Sequence, residues 1–157
     1  MKRLSSLYTS DCYYLNIADG VKLTGNCKVT VVGAVVVRDG VVIGTGSNAT
    51  MSGALQCLDG GCAGCTQYIS SQDREFLQRG ECTCIHAEYN AITNSKGMFK
   101  DLRDAAMYVT IPPCLPCAEM IKQNAISRLV CYKPDHEGRG LLFLRQEGVE
   151  ICFIQSC

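Results

Sequence analysis

Apolar and polar positions change their period several times along the chain. Residues 4–18 (LSSLYTSDCYYLNIA) place apolar side chains at mixed spacing and predict a first helix. Val29 to Val37 is rich in β-branched residues and predicts a strand. Asp39-Gly40 is a tight-turn pair, so Val41 to Gly46 should return as its antiparallel partner. From Ser47 to Thr83 the pattern dissolves into glycine, serine and cysteine. That is too long for a structureless loop in a compact domain unless something such as a metal orders it. Helical spacing resumes from His86 to Asn94, with Gly97 as the stop.

Ala106 to Ile111 predicts a strand, and Pro112-Pro113 follows it. A helix from about Cys114 to Asn124 then carries proline at or just before its first turn, where a missing N–H costs nothing. Ser127 to Tyr132 reads as a strand, Gly140 to Glu147 as a helix and Val149 to Ile154 as a last strand. The order α-β-β-α-β-α-β-α-β predicts an α/β sandwich, one mixed five-stranded sheet with helices on its faces. No repeat or linker interrupts it, so residues 1–157 are expected to form a single domain with a cysteine-rich insertion at about 48–84.

Composition narrows the function. At 157 residues and 47% hydrophobic, the chain can close one core. Lys+Arg 15 against Asp+Glu 15 removes the long-range field that draws proteins onto polymeric nucleic acid or acidic membranes, so neither is an expected partner. No apolar run approaches a membrane span, and the basic start Met1-Lys2-Arg3 lacks a following signal core, which predicts a cytoplasmic protein.

Cysteine is the outlier, at 12 residues. A disulfide framework needs an oxidising compartment, and the spacing favours metal instead. Seven of the 12 fall between Cys57 and Cys117, with close pairs at Cys62-Ala-Gly-Cys65, Cys82-Thr-Cys84 and Cys114-Leu-Pro-Cys117. Two thiolates so spaced can converge on one tetrahedral ion. Cys12, Cys131, Cys152 and Cys157 read as packing or tail residues.

Two segments belong together chemically. Cys114 and Cys117 share one face of a helix start, where the dipole and unpaired N–H groups favour thiolates. His86 at the other helix start supplies a third, neutral ligand. Three protein ligands leave one tetrahedral position open to water, as catalytic zinc requires. Glu88, two residues on, is placed to carry a proton between that water and a leaving amine.

His86-Ala87-Glu88 followed by Pro113-Cys114-Leu115-Pro116-Cys117 resembles the H-x-E and P-C-x-x-C signature of the zinc nucleobase deaminases. Asn90-Ala91-Ile92 and Ile121 fit the longer superfamily pattern. From about Cys27 onward the chain is most similar to the deoxycytidylate (dCMP) deaminases. Cys27 lies six residues before Gly33-Ala34-Val35-Val36-Val37, and Gly44-Thr45-Gly46-Ser47-Asn48 resembles the family's G-x-G-Y-N segment. Cys57, Gly61-Cys62 and Tyr108-Val109-Thr110 also match.

The resemblance implies a three-layer cytidine-deaminase-like sandwich and hydrolysis of a cytosine nucleotide, dCMP to dUMP and ammonia. It also implies a second, closed zinc site. Its ligands would be Cys27 and Cys57 with two of Cys62, Cys65, Cys82 and Cys84, among which Cys84 is favoured. That makes two zinc ions per chain. Asn48 is similar to the family asparagine on the substrate sugar, and the Ala87 N–H and Thr110 carbonyl would read the base. A homo-oligomer, dimer or hexamer, is implied as well.

Departures bear on the substrate. Ser47 replaces an aromatic, Ala49 a glycine, and Ile111-Pro112 a small polar residue. Lys133-Pro134-Asp135-His136 stands where a tyrosine with a basic neighbour is usual. Lys22, Lys28, Lys133 and Arg139 are candidate phosphate contacts, although residues of these types are more often ordinary surface charges. The rival readings are a tRNA adenosine deaminase, a cytidine or dCTP deaminase, and a non-catalytic zinc module; the last has no use for Glu88.

Overall fold

The computed structural model describes residues 6–71, 82–97 and 101–157. Strands β1 (Gly33–Arg38) and β2 (Val41–Ser47) form the hairpin, with Asp39 and Gly40 both at positive φ (51° and 76°), as a two-residue turn between twisted strands demands. With β3 (Ala106–Val109), β4 (Arg128–Tyr132) and β5 (Glu150–Ile154) they make one sheet in the order β2-β1-β3-β4-β5. The first three strands pair antiparallel and the last three parallel, so the sheet is mixed.

Five helices lie among the described residues: α1 (Ser6–Lys22), α2 (Ala63–Ser71), α3 (Ala87–Lys96), α4 (Leu115–Gln123) and α5 (Arg139–Gln146); all but α2, which belongs to the insertion, cover the sheet. Alternation along β1 sorts the layers. Ala34 and Val36 enter a core with Ala91, Ile92, Ile121 and Leu141, under α3, α4 and α5. Val35 and Val37 enter another with Leu15 and Ala18 of α1. Burial on both faces is why this strand reads as a continuous apolar run. The architecture is the three-layer α/β sandwich. Among the described residues no helix is long and apolar enough to cross a membrane.

A buried carboxylate clamps α1 to the sheet. Asp11 accepts two bonds from the Arg128 guanidinium, at 2.7 and 2.9 Å, and a third from the Tyr108 hydroxyl at 3.0 Å. Such a bidentate pair is geometrically selective as well as strong. At the other end of the sheet, α3 lies directly on β2. A Cβ at Gly46 would fall 2.3 Å from the Ala91 nitrogen and 2.4 Å from the Ala87 oxygen. Only glycine admits that approach.

Several boundaries differ from expectation. The first helix runs on to Lys22, while Leu4 and Ser5 lie outside the described residues, as do residues 72–81 of the insertion. The first strand begins at Gly33, not Val29. The Asn48 amide explains this: its Oδ1 accepts from the Val32 N–H at 2.7 Å and its Nδ2 donates to the Thr30 carbonyl at 2.8 Å. A side chain there replaces a ladder. Helix α2 and a short 3-10 turn at Cys57–Asp59 were not expected within the insertion. Cys12 and Cys157 need correcting as well. Rather than serving as packing and tail residues they form a disulfide, Cα–Cα 5.3 Å, because α1 runs past the chain end that follows β5.

Gly46→Ala should force α3 off β2. The expected loss is about 1–3 kcal/mol, the usual cost of overpacking, together with reduced zinc content. Urea denaturation and metal analysis of the purified variant check both.

Candidate metal and active site

The start of β1, the end of β2 and the end of β3 share one end of the sheet, because β1 runs against both neighbours. Thr110 fastens the corner: its N–H donates to the Gly33 carbonyl at 3.0 Å, and its Oγ1 accepts from the Gly33 N–H at 3.1 Å. Beyond β2, Ala49 and Ile85 exchange N–H···O bonds of 3.1 and 2.7 Å, which delivers the next residue, His86, to the same end. His86 is the N-cap of α3 and Cys114 the N-cap of α4, with Cys117 in the first turn of α4. Two helix starts therefore face each other above the sheet edge.

His86 Nδ1 lies 3.5 Å from the Cys114 sulfur and 3.3 Å from that of Cys117. With Zn–N near 2.0 Å and Zn–S near 2.3 Å, the N···S edge of a zinc tetrahedron is about 3.5 Å. The donor set thus fits zinc in both chemistry and spacing. His86 and Cys114 are exposed and Cys117 is buried, so the trio opens to one side. It borders a depression of about 1230 Å³ that is also lined by Tyr89, Pro113 and Arg139.

The electrostatics follow from the contacts. A hydrogen bond from the Cys117 thiol, with His86 alongside, pulls Cys114 down to about 4. Cys117 moves the opposite way, through that shared bond and its burial. The bond to Cys114 raises the His86 imidazole against the effect of its own burial. Glu88 is 4% exposed, and burial pushes its carboxyl up against the opposing effect of its own backbone N–H and, less, of the Cys117 thiol beside the ligand trio. A carboxyl so held takes a proton readily.

The remaining expected residues are distributed as follows. Ala87 is fully buried at the first position of α3, where its N–H has no partner within the helix. Thr110 stands at the sheet corner. Asn48 sits just after β2, and its amide spends one donor and one acceptor on the backbone of Thr30 and Val32. Among the candidate phosphate contacts, Arg139 lines the depression, Lys22 pairs with Asp19 and Lys28 reaches Thr66.

Six further thiols collect at the root of the insertion. Cys27, Cys57, Cys62, Cys65 and Cys84 are buried and Cys82 half-buried. Two sets of four have all their sulfurs within 4.8 Å of one another: Cys27, Cys57, Cys65, Cys84 and Cys62, Cys65, Cys82, Cys84. The first set holds the expected Cys27, Cys57 and Cys84 with Cys65 as the fourth, and the second brings Cys62 and Cys82 to the same Cys65 and Cys84.

Gly140 carried no signal in the sequence beyond opening a helix. A Cβ there would lie 2.1 Å from the Pro113 carbonyl, so the start of α5 rests on the loop that aims Cys114. Gly140→Ala should weaken zinc binding at His86, Cys114 and Cys117 by roughly 10–100-fold, the usual cost of disturbing support around a ligand. Titration against a chromogenic chelator measures it.

Comparison with known proteins agrees with this geometry. The sequence model of the cytidine and deoxycytidylate deaminase zinc-binding region matches residues 8–133. A deoxycytidylate deaminase of Saccharomyces cerevisiae is 34% identical over 130 residues, 81% of this chain and 39% of that protein. One of Mycobacterium phage D29 is 36% identical over 126 residues, 76% of this chain and 91% of that protein. The chain thus spans little more than a third of the length of the yeast relative. Among solved structures, the dCMP deaminase of cyanophage S-TIM5 in apo form superposes with a TM-score of 0.69 at 25% identity, covering 96% of this chain and 98% of that one. With the His-Ala-Glu and Pro-Cys-x-x-Cys helix starts inside the matched span, the chain belongs to the cytidine and deoxycytidylate deaminase family.

Proposed function

We propose that the chain hydrolyses dCMP to dUMP and ammonia. The observation that carries this reading is a zinc-fitting trio, open on one side, with the buried non-ligand carboxyl of Glu88 against it. Zinc bound by His86, Cys114 and Cys117 supplies the Lewis acidity that makes water nucleophilic at neutral pH. The rest is the work of the chain. Glu88 takes a proton from the attacking water, and the oxygen adds at C4 of the base. That proton passes to N3; the same carboxyl then takes the proton of the new C4 hydroxyl and gives it to the amine, which leaves as ammonia. The Ala87 N–H and the Thr110 carbonyl hold the polar edge of the base. Asn48, with one N–H and one lone pair left, holds the sugar.

Arg139 meets the 5′-phosphate: its place beside Cys114 on the wall of the depression supports this over Lys22 or Lys28. The buried thiols at the insertion hold structural zinc. A reducing cytoplasm suits an enzyme that keeps ten of its cysteines free of disulfide. The working form is a homo-oligomer in which a second copy covers Met51, Leu55 and Leu58, exposed along one segment of the insertion.

Glu88→Gln should keep its zinc and lose roughly 10²–10⁴-fold in kcat, the range for a general acid–base, read as ammonia release from dCMP. Unchanged turnover would sink the mechanism. Arg139→Ala should raise KM for dCMP about tenfold, the equivalent of one charge-assisted bond, and leave KM for deoxycytidine alone. An equal effect on both would remove Arg139 from the phosphate.

A further inference from the structure

We propose that Cys27, Cys57, Cys62, Cys65, Cys82 and Cys84 hold two zinc ions as one cluster, bridged by the thiolates of Cys65 and Cys84. The two four-sulfur sets have those two residues in common, which is the arrangement of two tetrahedra sharing an edge. The sulfur separations suit it. Zn–S near 2.3 Å makes the edge of a ZnS4 tetrahedron about 3.8 Å. The shared pair Cys65–Cys84 is 3.9 Å apart, Cys27–Cys65 3.7 Å, Cys65–Cys82 3.5 Å and Cys62–Cys82 3.7 Å.

Charge favours the pair over a single ion. One Zn²⁺ with four thiolates carries −2 and strands two thiols. Two Zn²⁺ replacing six thiol protons also carry −2, so the second ion employs the stranded sulfurs without adding charge to a buried site. The backbone donors fall where such a cluster needs them. Lys28 N–H points to Cys57 at 3.4 Å, and the N–H groups of Cys65 and Thr83 point to Cys62 at 3.4 and 3.3 Å. Both acceptors are outer thiolates, bound to one ion, which keep more negative charge than sulfurs shared by two.

Each ion has a separate task. One joins Cys27 and Cys57, ahead of β1 and after β2, to the shared pair. The other joins the start of α2, through Cys62, to Cys82, closing the insertion four residues before His86.

Native mass spectrometry and metal analysis of the full chain grown with zinc decide the matter. Three zinc ions per wild-type chain and two in His86→Ala are expected. Two and one would overturn the proposal. Because the His86→Ala count reads the cluster alone, failure of the deaminase reading would not be mistaken for failure of this one. Cys62→Ser should lower the wild-type count by one; an unchanged count would overturn the assignment of Cys62 to a second ion. Should that variant not fold, cobalt(II) replacement in His86→Ala provides the same decision. Thiolate-bridged cobalt ions couple magnetically, so the spin count should fall well below the cobalt content, and full spin from every ion would refute the bridge.

Discussion

How closely α3 can lie on the edge strand β2 sets the position of everything at the catalytic end. Gly44 and Gly46 leave the strand surface bare, so helix backbone rests on strand backbone where any Cβ would collide with Ala91 or Ala87. Two helix side chains then turn the contact into a fixed register. Asn90 donates to the Ser47 carbonyl at 2.9 Å and Asn94 to the Thr45 carbonyl at 2.7 Å, which also covers part of a sheet edge. The Ala49–Ile85 exchange fixes the helix entry. His86 and Glu88 therefore occupy the first turn of a helix whose height, roll and register are all set by the sheet. Reactive side chains gain precision from rigid supports of this kind.

The insertion is organised on a different principle. Among its described residues the buried centre is made of cysteine, with Val29 alongside, and no aliphatic cluster there compares with those on the two faces of the sheet. Small side chains there cannot offset the entropy of ordering so long a segment by burial alone. Metal–thiolate bonds can, and their binding free energy is then folding free energy for this region. Since Cys84 lies two residues before His86, the order imposed on the thiols passes directly to the catalytic histidine.

Much of this was legible in the sequence. The β-branched run at Val35 to Val37, the Asp39-Gly40 turn and the two helix starts with their ligands each announce themselves locally. What escaped depended on partners distant in the chain. Asn48 delays the start of the first strand to Gly33 by taking up hydrogen-bonding groups of Thr30 and Val32, and no local pattern reveals that. Gly46 and Gly140 look like ordinary glycines until a helix is laid against them. Cys12 and Cys157 are separated by 145 positions, so only the tertiary path of α1 pairs them. Helix α2, with glycine and serine in AGCTQYISS, has weak intrinsic propensity and is anchored through Cys62 and Cys65 instead.

The same ligand chemistry serves opposite ends at the two sites, and charge separates them as much as burial does. Two thiolates and a neutral imidazole would balance one Zn²⁺, so a metal held by His86, Cys114 and Cys117 would still accept an electron pair from a fourth donor. Cys114 and His86 are exposed, and the donor can be water. In the cluster proposed at the insertion every ligand would be a thiolate, with all positions filled by protein and a negative net charge. A metal so supplied with electron density would activate water poorly even if water reached it. Replacing one thiolate by histidine and leaving one position open is thus sufficient to turn a structural ion into a catalytic one. Glu88 completes that change, because a carboxyl held beside the ligands without binding the metal can still carry protons.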